Sequence, residues 1–89
     1  MKKTEQVIKV SSSSSVSKLS GCIVSSIEEG NSVELRVMGA GALNQAIKSY
    51  IKARGILSTH GVDTYLLPSF NSVKENGEER TVINLKIIM

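Results

Sequence analysis

Gly39 and Gly41 stand as G-x-G behind the apolar residues Val37 and Met38 and ahead of a regularly spaced apolar segment. Glycines so placed let a backbone approach phosphate at a helix N-terminus, where free N–H groups and the helix dipole favour an anion. They serve equally well as a tight connection into a core helix, and both readings stand at this point. A nucleotide cofactor is not expected. The dinucleotide fingerprint needs a third glycine, where Asn44 stands, and a ribose-binding acid about 20 residues on. The next acid is Asp63, and no G-x-x-x-x-G-K-[ST] loop occurs anywhere.

Other reactive side chains are few. His60, beside Gly61, is the only histidine, and Asp63 follows it without a nucleophile or second base. That is too little for acid–base or covalent catalysis, so no enzyme is expected. One cysteine and one histidine make no metal site. Cys22 can form no internal disulfide, and its place in an apolar helical pattern predicts a small buried hydrophobe.

The basic residues carry more. Lys48 and Lys52 are four apart, with Asn44 and Gln45 one turn earlier and Arg54 just past them. On a helix these form a polar stripe opposite Leu43, Ile47, Tyr50 and Ile51. A solvated face and a phosphate-contacting face share this pattern. Aromatic stacking on bases is poorly supported, since Tyr50, Tyr65 and Phe70 are the only aromatics. Nucleic acid would therefore be met chiefly through phosphates.

The elements that hold these residues follow from local pattern. Gln6 to Val10 is short and β-branched, a first strand. Ser11 to Ser15 reads as a loop closing on a helix N-cap at Ser14 or Ser15. Val16, Leu19, Ile23 and Ile27 then mark one face of a helix that Gly30 ends. Val33, Leu35 and Val37 alternate with Glu34 and Arg36, a half-buried strand. Leu43, Ala46, Ile47, Tyr50 and Ile51 give the strongest helical period, with Gly55 as its end and Ile56 to Gly61 as a connection. Val62 to Val73 reads as a strand broken or bulged at Pro68. Asn76-Gly77 is a type I′ hairpin signal, and Arg80 to Met89 returns with Thr81, Ile83, Leu85 and Ile87 on one face.

The order is β-α-β-α-β-β. Right-handed crossovers put both helices on one face of a mixed four-stranded sheet, an α/β two-layer sandwich. Eighty-nine residues make one domain with a thin core, and residues 1–5 read as a flexible N-terminus. At 40% hydrophobic and 21% charged the chain is globular, and its net charge of +3 permits an anionic partner without demanding one. Glu5, Gln6 and Lys9 interrupt any signal-peptide core, and nothing approaches a membrane span of about 20 apolar residues. A cytoplasmic protein without membrane contact is expected.

The blocks GAGALNQAIK from Gly39 to Lys48, ARG at 53 to 55, GVD at 61 to 63 and GEERT at 77 to 81 resemble the stage V sporulation protein S family. The similarity runs from about Ile8 to Ile87. The resemblance implies a small cytoplasmic bacterial protein of Alba-like fold, linked to sporulation and developmental regulation, that binds DNA or RNA and forms a homodimer or higher homo-oligomer. It implies contact through the first loop, the helix faces and the long hairpin. On this chain the candidates are Ser13 and Ser14 of the serine loop, Lys18, Gly39, Gly41, Asn44, Gln45, Lys48, Lys52 and Arg54. The acidic hairpin tip, Glu75, Glu78 and Glu79, points to structure or self-assembly. A non-enzymatic protein-interaction or self-assembly module is the rival reading.

Overall fold

The computed structural model describes residues 4–89. Six elements follow one another: β1 (Glu5–Val10), α1 (Val16–Glu28), β2 (Ser32–Val37), α2 (Ala40–Thr59), β3 (Tyr65–Glu75) and β4 (Glu78–Ile88). The sheet order is β1-β2-β4-β3, with β1 and β2 parallel and the other neighbours antiparallel. The β-α-β-α-β-β element order and the mixed four-stranded sheet are those expected. Both helices rest on β1 and β2.

Alternation along β2 decides the layering. Val33, Leu35 and Val37 are almost fully buried under the helices, beside Leu85 and Ile87 of β4. Glu34 and Arg36 turn to the helix-free face. From the helices come Leu19, Ile23 and Ile27, and the small-residue face Ala42, Ala46, Ser49 and Ala53 that lets α2 lie close.

Glycine at positive φ closes both helices. Gly30 follows α1 at φ 90°, with Asn31 N–H donating to Ser26 O and Gly30 N–H to Ile27 O, each at 3.0 Å. Gly61 does the same for α2 at φ 78°, with Val62 N–H on Leu57 O and Gly61 N–H on Ser58 O. Both are the paired hydrogen-bond motif that satisfies the last carbonyls of a helix.

Several expectations are corrected. Gly55 does not end α2, which runs on to Thr59 because Leu57 continues the buried period and Gly61 supplies the stop. The expected connection from Ile56 is thus mostly helix. Ile51, expected in the core, is 62% exposed, because the buried arc runs through Ala46, Tyr50, Ala53 and Leu57. Cys22, expected buried, is exposed and lies outside the arc of Leu19, Ile23 and Ile27. Pro68 does not break its strand. It pairs with Leu85 in an unbroken register, and β3 is an edge strand, where a residue without an N–H is tolerated. The flexible segment expected over residues 1–5 is corrected at its end. Glu5 pairs with Ser32 and Thr4 O accepts from Ser32 N–H, while residues 1–3 lie outside the described part.

Strand length gives the molecule its shape. β4 pairs with β2 only from Val33↔Ile87 to Val37↔Ile83, but β3 and β4 stay paired out to Glu75↔Glu78. The far part of the hairpin therefore projects as a two-stranded arm, turned by Asn76 at φ 54° and Gly77 at φ 77°. The overall extents are 44 × 28 × 18 Å.

Candidate nucleic-acid interface

The N-termini of α1 and α2 come together at one end of the molecule. The serine loop folds on itself. Ser14 N–H donates to Ser11 O at 3.1 Å, Ser11 N–H to Ser14 Oγ at 2.9 Å, and the Ser11 and Ser13 hydroxyls lie 3.0 Å apart. Ser15 is the N-cap of α1, its hydroxyl accepting from Lys18 N–H at 3.3 Å. Of the two expected caps it is the one used.

This loop leans on α2. A Cβ added to Gly41 would lie 2.8 Å from Ser12 Cβ, so only glycine allows the approach. Gly39 caps α2 at φ 93° and offers no side chain to the helix. The first N–H groups of α2, on Ala40, Gly41 and Ala42, thus have neither a helical acceptor nor a capping oxygen on Gly39. Ala42 is buried, but Ala40 and Gly41 are exposed, and donors at the positive end of a helix are where an anion is stabilised.

The structure divides the polar stripe of α2. Asn44 and Lys48 are exposed. Gln45 is half-buried, and its amide donates to Ser14 O at 2.8 Å, tying α2 to the serine loop. Lys52 Nζ reaches Ser17 Oγ at 3.1 Å. Gln45 therefore faces the serine loop, a correction to the outward stripe at that position, while Lys52 stays exposed and spans towards α1. Arg54 does not join them. It lies on the β3 flank of α2, with Nε on Thr64 O at 3.4 Å and its guanidinium 3.7 Å from Asp63. Lys18 is exposed in the first turn of α1. One end of the molecule thus gathers Ser13, Ser14, Lys18, Gly39, Gly41, Asn44 and Lys48, with Gln45 and Lys52 bracing the junction.

His60 sits at the end of α2 and meets Glu28 of α1, Nδ1 to Oε1, at 2.8 Å. With Asp63 held by Arg54, the two residues of the weak acid–base pair go to different partners.

Sequence reasoning missed a polar row on the helix-free face. Lys9, Arg36, Asn84 and Ser69 are neighbours in register across all four strands. Asn84 is 8% exposed, and its Oδ1 and Arg36 Nε lack hydrogen-bond partners among the described residues. The alternation of each strand carried part of this signal, but the row depends on register, which pairs strands far apart in sequence.

No helix among the described residues is long and apolar enough to cross a membrane. A family model, stage V sporulation protein S (SpoVS), matches residues 6–89, essentially the whole chain. The chain belongs to the stage V sporulation protein S family, which marks it as a sporulation-related protein.

Proposed function

We propose that this chain is a non-enzymatic, nucleic-acid-binding regulatory protein of Alba-like type, acting in the bacterial cytoplasm as a homodimer. It meets DNA or RNA mainly through the phosphate backbone, and no metal or cofactor takes part. One observation carries the reading: two helix N-termini converge on a serine and glycine junction flanked by Lys18, Lys48 and Lys52. Backbone N–H groups and serine hydroxyls position phosphate, and the lysines add point charges. Asn44 presents its amide at the same rim.

Titration of labelled DNA and RNA at two salt concentrations tests the reading. Binding should weaken steeply with salt, by a log–log slope of about −0.9 per duplex phosphate neutralised. The double change Lys48→Ala/Lys52→Ala should flatten that slope and lower affinity for all sequences alike. No binding at low salt, or an unaltered double variant, would sink the proposal.

A second reading, a self-assembly or protein-docking module, is favoured by the edge strand. Phe70 is 79% exposed on the helix side of β3, beside Pro68 and Ile83. A second copy of the chain brings a matching patch and suits a domain whose own core is thin. This face serves the dimer of the first reading as well.

A further inference from the structure

We infer that the free edge of β1 pairs with β1 of a second copy of this chain, antiparallel and centred on Val7, to make one continuous sheet. The contact lies at the opposite edge of the sheet from Phe70 and does not depend on it.

The backbone of β1 alternates between two directions. Thr4 O accepts from Ser32 N–H, so Gln6, Ile8 and Val10 share that direction and face β2. The N–H and C=O groups of Glu5, Val7 and Lys9 therefore point away from the sheet. Their side chains share the helix-free face, because Gln6 accepts from the Ser26 hydroxyl of α1 and Val10 is buried on the other face. Such an edge accepts an added strand unless charge, proline or a bulge prevents it. The other edge strand, β3, carries Pro68. β1 has neither proline nor glycine, and its register runs unbroken from Glu5↔Ser32 to Val10↔Val37.

The order of side chains selects the occupant. A two-fold axis through Val7 sets Val7 against Val7 of the second copy and Glu5 against its Lys9, in both directions. All three outward-pointing residues then fall in hydrogen-bonded pairs. A register centred on Glu5 or on Lys9 would oppose like charges, and one centred on Gln6 or Ile8 would set a charge against Val7. Glu5 and Lys9 are exposed and in no ion pair among the described residues, and Val7 is 45% exposed. Arg36 stands beside Lys9 in register, but Glu34 lies 4.0 Å from it, so Lys9 supplies the positive charge at this end. The two-fold places both copies of α1 on one face of the joined sheet. At the middle of α1 the exposed residues are Gly21, Cys22 and Ser25, small side chains that leave room for a neighbouring helix. An edge of 6 residues buries well under the roughly 1,200 Å² of a stable interface, so half of the edges pair at about 1 mM. Chains held side by side reach such concentrations locally.

Amide–water exchange, measured by NMR on the isotope-labelled full chain from about 50 μM to about 1 mM, tests the pairing. The N–H groups of Glu5, Val7 and Lys9 should slow by about twofold as half of the edges pair, while Gln6 and Ile8, already bonded to β2, stay unchanged. Val7→Pro removes an outward N–H that β2 does not use, and should abolish the slowing at Glu5 and Lys9. Glu5→Lys and Lys9→Glu should each abolish it too, because like charges then meet. An equimolar mixture of these two single variants should restore it, since each edge again finds opposite charges, a gain that misfolding cannot mimic. Concentration-independent exchange at the three amides, slowing that survives Val7→Pro, or a mixture no better than its separate components would each overturn the inference.

Discussion

Three glycines show how one residue type takes opposite roles. Gly39 needs positive φ, and a side chain there costs about 1–3 kcal/mol of backbone strain. Gly41 is helical, but its missing Cβ is the space that Ser12 fills. Gly41→Ala must therefore displace loop backbone, and a loss of about 1–3 kcal/mol is expected, as for other overpacked sites. Gly55 lies inside α2 with open space around it. Gly55→Ala should stabilise by about 0.5–1 kcal/mol, the helix-interior difference between the two residues. Denaturant unfolding of the two variants checks both signs, and a destabilised Gly55→Ala would contradict the helical course drawn through that position. The glycine pair at 39 and 41 was legible as a turn that launches a helix. Its contact with Ser12 was not, because the sequence does not state which loop comes to rest on which turn.

At the scale of elements, local pattern carried most of the order and little of the docking. The alternation of β2, the serine N-cap of α1 and the Asn-Gly turn are set within a few residues, and each was readable. The end of α2 was misread because Gly55 looks like a stop while Leu57 and Gly61 carry the true one. Docking of α2 against the start of β3 rests on a buried hydrogen bond of 2.9 Å between the Tyr50 and Thr64 hydroxyls, 14 residues apart. Tyr50→Phe removes one partner and leaves Thr64, 4% exposed, unmatched. A loss of about 1–3 kcal/mol is expected, the cost of a buried polar group without a partner. In Tyr50→Phe/Thr64→Val both polar groups are gone, so the double variant should recover most of that loss. A thermodynamic cycle on the four proteins measures the coupling, and strict additivity would show that the bond contributes nothing.

The whole molecule adds features that no single element holds. Because β2 stops at Val37 while β4 runs on to Glu78, the hairpin arm, the notch beside it and the polar row of Lys9, Arg36 and Asn84 exist only once the strands are paired. The same topology leaves the helix side of β3 uncovered, since both helices stand over β1 and β2. Phe70 is the largest consequence. Burying such a side chain is worth about 1.5–3 kcal/mol relative to leaving it in water, and a two-fold dimer buries one from each protomer. Light scattering after size exclusion should therefore give twice the 9.6 kDa mass of the chain. Phe70→Asp places a charge at the centre of that contact and should give the single-chain mass with an unchanged far-ultraviolet spectrum. Lys48→Ala/Lys52→Ala, at the opposite flank of α2, should remain dimeric. That pair of variants separates assembly from nucleic-acid contact. If Phe70→Asp is monomeric and loses affinity more steeply than the lysine variant, phosphate recognition depends on lysines gathered from two protomers. A wild-type chain that is monomeric at high micromolar concentration would remove the dimer from the proposed function and leave each helix-N-terminal junction to act alone.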